Sequence, residues 1–424
     1  MLFYTRCPTP VMTFRSLFAR PLGQRGGPPV RLAAALAVAL FLAASLAPTV
    51  AQAQVSTTAV PFLRIEPDSR AAGMGNTGAA LADDANAIWW NPAGLGFQEG
   101  AEVGITHSNW LPEFNTNLFF DYLVGKYHVD GVGTFGGQLA FMNLGEHEQR
   151  DNEGVEVGDF RSFDLATGIS YGVTLGERFA LGTGARAIYS QLASNVANID
   201  GTAFAFGVDL AALYRTRPFA LGGVETTVSA GANLSNMGPT IDYDRSTEEE
   251  DPLPQHLRFG AASTFAFDQY NELTVAVDFG KLLTNTETTE VGDGDDEGDE
   301  SDTRREVDPF YEAIFSAWGS KNRLDNGEVV GQVSPLQQIT VGGGLEYWYD
   351  QLFALRTGYY YENPDFGDRQ FLNFGAGLRY NIVGVDFSYI FPISGNDPLA
   401  NTIRISLLVD IPGASSGADS AGAE

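Results

Sequence analysis

The chain has 424 residues, with 25 Lys or Arg against 53 Asp or Glu, a formal net charge of −28. Such acidity repels a polyanion and excludes nucleic acid as a partner, while 49 glycines and 12% aromatic residues without a long apolar run past residue 53 speak against a helical membrane protein. The single cysteine, Cys7, lies in the leader, so disulfides, thiolate metal sites and cysteine nucleophiles are excluded together for the mature region.

In chain order the first element is that leader. Arg-bearing segments precede the apolar run Leu32–Ala47, and Ala51-Gln52-Ala53 supplies a small-x-small cleavage site. The pattern predicts a secretory signal peptide over residues 1–53, its apolar run short of the roughly 20 residues a spanning helix needs. Met12 offers an alternative start.

Next come Gly73-Met74-Gly75-Asn76-Thr77-Gly78, a literal G-x-G-x-x-G. A dinucleotide loop requires an apolar strand running into its first glycine. Here Glu66-Pro67-Asp68-Ser69-Arg70-Ala71-Ala72 precede it, with a proline and three charges, and cannot form a buried parallel strand. Phosphate binding is therefore rejected. Asp83 is expected to cap a short helix from Ala85 to Trp89, and Asn91-Pro92 to end it, because the residue before proline disfavours helix.

From residue 101 onward the dominant signal is alternation with period two. Ile403, Ile405, Leu407, Val409 and Ile411 interleave with Thr402, Arg404, Ser406, Leu408 and Asp410; comparable runs occupy 371–380, 383–391, 272–280 and 202–214. One face of these strands is apolar. The other carries Arg186, Asp209, Asp278, Glu346, Arg356, Arg379, Asp386 and Arg404, too much charge for a sandwich core but suited to a lumen whose outside faces lipid. Strands are predicted at 101–108, 116–128, 132–143, 159–174, 179–191, 202–214, 219–234, 257–267, 272–280, 337–348, 352–362, 371–380, 383–391 and 402–411. Their links alternate between long and tight, the mark of an outer-membrane barrel with both chain ends on the periplasmic side. The fold class is thus all-β: a transmembrane antiparallel β-barrel of about 14 strands in the bacterial outer membrane, occupying residues 99–411. Residues 54–98 are expected to fold into its lumen as a plug, with Arg70, Gly73, Gly75, Gly78, Asp83, Asp84, Asn91 and Pro92 as contacts between plug and wall. Small residues suit such close approach.

The longest link, 281–336, contains the acidic stretch 287–302, which fails the calcium-loop pattern because Arg304 stands where a bidentate Glu is required. A solvated loop is expected there, a short helix or loop at 310–318, and a flexible tail at 412–424. Gly168-Ile169-Ser170-Tyr171-Gly172 matches a nucleophile elbow, yet Ser170 sits mid-strand rather than at a sharp turn. His107, His128, His147 and His256 lack ligand spacing. Neither a catalytic group nor a metal or other cofactor is predicted.

The segment from Phe62 to Gly78 followed by Trp90-Asn91-Pro92-Ala93 closely resembles the N-terminal signature of the PorV/PorQ family of the type IX secretion system. The resemblance continues through Leu234–Tyr243, Leu257-Arg258-Phe259-Gly260, Leu355–Tyr359 and Asn401-Thr402, and Lys281-Leu282-Leu283 with Leu345-Glu346-Tyr347-Trp348-Tyr349 favours PorV. Ala82-Asp83-Asp84-Ala85 leading to Asn91-Pro92-Ala93 is also similar to the FadL family of fatty-acid channels. The first resemblance implies a FadL-like barrel that binds secreted cargo proteins by their C-terminal sorting domains and passes them from the type IX translocon to a surface sortase complex. The alternative is an outer-membrane channel for hydrophobic small molecules. The external loops 235–256 and 363–370 are the expected partner contacts, since loops on a rigid scaffold carry recognition. The acidic stretch and the tail depart from the family pattern.

Overall fold

The computed structural model describes residues 58–112, 117–150, 155–193, 201–243, 250–291, 302–325, 328–393, 399 and 401–412. The leader 1–53 with Cys7, the acidic tip 292–301 and the tail beyond residue 412 lie outside them.

Fourteen antiparallel strands close on themselves: β1 (Ala101–Asn109), β2 (Phe119–Val129), β3 (Gly133–Arg150), β4 (Glu156–Thr174), β5 (Phe179–Gln191), β6 (Thr202–Arg215), β7 (Val224–Met237), β8 (His256–Ala266), β9 (Asn271–Leu282), β10 (Ile339–Tyr349), β11 (Phe353–Tyr361), β12 (Gln370–Tyr380), β13 (Val383–Pro392) and β14 (Ile403–Ile411). Each pairs with its neighbours in sequence, and β1 pairs with β14, Ala101 opposite Ile411. Closure leaves no barrel strand with an unpaired edge in lipid, where an unsatisfied backbone group costs several kcal/mol.

The alternation read from the sequence sorts the side chains as expected. Leu407 on β14, Ile105 on β1 and Val385 on β13 stand outward side by side in one row. The charged set faces inward and, except for the half-buried Arg379, is buried, with Asp386, Glu346 and Arg404 each only 1% exposed. Tight turns at one end of the barrel use left-handed residues, Gly131 between β2 and β3, Asp350 and Gln351 between β10 and β11, and Asn381 between β12 and β13. The long links gather at the other end.

Four boundaries differ from expectation. The link 144–158 is largely a continuation of the β3–β4 ladder, which passes a bulge at Asn143/Gly145, where Gly145 adopts positive φ. Most of its residues are polar or glycine, so periodicity alone did not extend the strands. The stretch 219–234 is broken by Gly222 and Gly223, which turn a three-residue strand, Phe219–Leu221, back onto β7. The acidic stretch expected to be a solvated loop is in part a hairpin, Thr286–Val291 against Asp302–Val307. A second hairpin, Lys321–Asp325 with Glu328–Val333, follows a short helix at Phe310–Ser316.

Placing a cation in the outward row tests the lipid assignment. Leu407→Lys should lower unfolding stability of the reconstituted barrel by about 2–4 kcal/mol, measured by denaturant titration in vesicles; a change below about 0.5 kcal/mol, the range of an ordinary surface substitution, would remove Leu407 from the lipid-facing belt.

Candidate functional site

The N-terminal segment threads the barrel from one end to the other. At the long-link end Ala59 N donates to Pro252 O at 3.1 Å, and Arg64 Nη2 reaches Glu362 Oε1 at 3.1 Å. At the tight-turn end Thr134 Oγ1 donates to Gln98 O at 2.8 Å, just before β1 begins. Between them lie a 3₁₀ turn (Pro61–Arg64), helix α1 (Ser69–Gly73), helix α2 (Ala87–Trp90) and a second 3₁₀ turn (Pro92–Phe97); the helix at Phe310–Ser316 is α3. Asp68 caps α1, one carboxylate oxygen accepting from Ala71 N at 2.9 Å and the other from Trp90 Nε1. That bond ties α1 and α2 together across the intervening loop.

The two sides of the lumen hold this segment by different physics. Toward β2–β5, Ile88, Trp89 and Leu95 pack on Phe120, Tyr122, Met142 and Ile188 in an apolar core. Toward β10–β13 the contact is ionic. Arg70 donates from Nε and Nη2 to the two oxygens of Glu346, at 3.0 and 2.8 Å. Arg356 donates to the same carboxylate at 2.6 Å and to Asp386 at 2.6 Å, and Arg379 closes the chain on Asp386 at 2.6 Å. Buried charges are tolerated when paired and hydrogen-bonded. Here a single arginine of the inner segment completes a network otherwise built from four wall strands.

The glycine motif binds an anion after all, one supplied by the wall. Gly78 N and Ala79 N both donate to Asp278 Oδ2 on β9, each at 2.9 Å. Gly75 has φ +70°, and a Cβ there would lie 2.5 Å from Gly343 O and 2.6 Å from Tyr359 O. A Cβ on Gly73 would stand 3.2 Å from Cα of Gly375, and one on Gly78 would enter the Trp90 ring. The backbone of the segment thus lies on the backbone of the wall, with Gly342, Gly344, Gly358 and Gly375 forming the seat.

Of the remaining expected contacts, Asn91 is fully buried and donates to Ala79 O at 2.7 Å and to Ala212 O of the wall at 3.1 Å. Pro92 opens the second 3₁₀ turn and fills space left by Gly172 and Gly182 on the wall. Asp83 does not cap the helix; its carboxylate pairs with Arg70 within the segment. Helix α2 starts at Ala87, with Asp84 at the turn instead: Asp84 O accepts from Ala87 N at 3.0 Å and Asp84 Oδ1 from Asn86 N at 2.9 Å. Two adjacent aspartates cannot be ranked as caps from sequence, because each offers the same acceptor one residue apart. Sequence reasoning placed Asp278 in the lumen without matching it to the glycine loop, and missed Asp68 and the glycine seat; glycines at alternate positions of β10 and β12 were the available signal. Ser170 faces inward mid-strand, as its alternation implied. Among the described residues no cluster of three or more His, Cys, Asp or Glu could hold a metal ion.

The seat predicts a sharp contrast between glycines. Gly75→Val should abolish the folded barrel's heat-shifted gel mobility, whereas Gly131→Val, with positive φ but no atom within 4 Å, should cost only about 1–2 kcal/mol of backbone strain. Equal behaviour of the two would remove the packing account. A second expectation concerns Asp84, whose carboxyl is pushed up to about 8 by burial, with Glu102 adding to the shift and Arg70 opposing it. The unfolded chain releases this proton near the ordinary aspartate value of about 4, so stability falls as pH rises from there to about 8. Asp84→Asn keeps the acceptor for Asn86 and should stabilise the barrel at pH 8, by up to about 5 kcal/mol at about 1.4 kcal/mol per pH unit, but not at pH 4. Thermal melts in detergent at both values check this.

The barrel is similar in structure to the toluene transporter TbuX of Ralstonia pickettii (12% identity, 81% of this chain and 98% of that one, TM-score 0.44). It is similar also to TodX of Pseudomonas putida (12%, 85% and 98%, 0.44) and to a FadL homologue of Pseudomonas aeruginosa (10%, 85% and 100%, 0.39). No curated protein matches it. The family described as type IX secretion system protein PorV matches residues 48–289, more than half of the chain and including the whole glycine-bearing segment. The chain belongs to the PorV family, an outer-membrane barrel component of the type IX secretion system.

Proposed function

We propose that the protein is a non-enzymatic collector of secreted cargo, exported by its leader, that binds C-terminal sorting domains at the long-link end of the barrel and hands them to the surface attachment complex. The family match over residues 48–289 carries this reading. Two features of the long links support it. Helix α3 presents three exposed aromatic side chains, Phe310, Tyr311 and Phe315, of which Phe315 is 80% exposed, and exposed aromatics beyond the lipid belt suit a protein partner. The links 235–256 and 363–370 are braced from inside, through Ala59 on Pro252 and through Arg64 and Arg369 on Glu362; a braced loop loses less entropy on binding.

The channel reading is less well supported. An apolar solute would have to pass an interior occupied by the N-terminal segment and by charged wall residues such as Arg186, Asp278 and Arg404, each costly to expose to an apolar guest.

Deleting the gene in the source organism should abolish surface display of cargo while leaving uptake of hydrophobic compounds intact; unchanged display would sink the proposal. The purified barrel should capture proteins that share a C-terminal domain. The double variant Tyr311→Ser, Phe315→Ser should keep its heat-shifted mobility and lose roughly tenfold in capture, about 1.4 kcal/mol; undiminished capture would move the contact off α3.

A further inference from the structure

Near the long-link end, between the inner segment and β7–β11, lies a cavity with about 580 Å³ of empty space, its open mouth included. Its chemistry inverts that of the chain as a whole. Arg64, Arg186, Arg258 and Arg369 line it against a single carboxylate, Glu66, in a protein of net charge −28. Arg64 and Arg369 share one carboxylate, Glu362. Arg258 forms no ion pair among the described residues: its guanidinium lies 4.4 Å over the Trp90 ring, and of the carboxylate of Asp278 on the adjacent strand Oδ2 accepts from Gly78 N and Ala79 N while Oδ1 has no hydrogen-bond partner among the described residues. Stacking on an aromatic face leaves the N–H edge of an arginine free to grip an oxyanion.

A second observation is independent of charge. Asn233 Oδ1 and Asn236 Oδ1, on residues 4% and 2% exposed, have no hydrogen-bond partner among the described residues, although both side chains line the cavity. Their amide nitrogens are used, donating to Trp90 O at 3.0 Å and Pro254 O at 3.0 Å, which leaves the oxygens as the unpartnered atoms. A buried acceptor without a donor carries the full cost of its desolvation. A fully ionised oxyanion cannot satisfy it, since it has no proton to give; a hydroxyl can. Arg258 and Asn233 sit opposite each other on β8 and β7, so cation and acceptor are neighbours on the wall.

We infer that this cavity binds a hydroxylated anion of the sugar-phosphate class, with the phosphate on Arg258 and Arg64 and sugar hydroxyls donating to Asn233 and Asn236. The ligand could be a free sugar phosphate or the sugar-phosphate headgroup of a lipid; the recognising chemistry is the same, and the inference does not depend on the cargo role.

The test is calorimetric titration of the full-length barrel in detergent with glucose 1-phosphate, inorganic phosphate and glucose. Saturable binding of glucose 1-phosphate is expected, at least tenfold tighter than either fragment. Arg258→Gln should weaken it tenfold or more, Arg258→Lys less, with heat-shifted mobility retained. Should Arg258→Gln fail to fold, Arg64→Gln, which keeps a donor for Glu362, should still weaken binding at least threefold. No saturable binding, equal affinity for inorganic phosphate, or wild-type affinity in the folded arginine variants would overturn the assignment. Competition by vesicles carrying a glucosamine-phosphate lipid separates the sources: displacement supports the site with a lipid headgroup as ligand, and its absence supports the site with a soluble one.

Discussion

Pairing of charge inside a lipid-sealed wall is the constraint on which the rest of this structure depends. Glu346 and Asp386 point into the barrel, away from bulk water, and each is held by two arginines. Without Arg70 the bidentate contact to Glu346 is gone, and a buried carboxylate that loses a partner costs several kcal/mol. The inner segment is therefore part of the wall's electrostatics as well as a filling for its volume. That coupling explains why Arg70 stands in α1, whose position is set in turn by the Asp68 cap and the Asp68–Trp90 bond.

Close packing of backbone on backbone is the second requirement, and it follows from the first. An arginine can reach a wall carboxylate with good geometry only if its helix lies near the wall. Glycines on both surfaces remove the side chains that would hold them apart. Asp278 then does for the loop amides of Gly78 and Ala79 what a phosphate does in a nucleotide-binding loop, offering negative charge to unsatisfied N–H groups. Apolar packing on the opposite side, Trp89 and Ile88 against Tyr122 and Phe120, presses the segment into place without requiring directional bonds.

A barrel filled in this way is a rigid support. Its long links are fastened from within by Ala59 and Arg64, so their positions depend on the same segment that completes the ion network. In the proposed role, recognition by the links and stability of the interior are thus linked through one stretch of chain. Loss of the segment's seat would then disturb both.

Fourteen strands, their inward charges and the alternation of long and tight links were legible in the sequence because lipid on one side and a lumen on the other impose period two at nearly every barrel residue. Membership in the PorV family was legible in the Phe62–Gly78 and Trp90–Ala93 stretches. The polar continuation of β3 and β4 was not, since a ladder outside the membrane needs no apolar face. Nor could Arg70 be matched to Glu346, or Gly78 to Asp278, across separations of 276 and 200 residues. Periodicity says which way a side chain points; only closure of the barrel around the inner segment decides which side chain it meets.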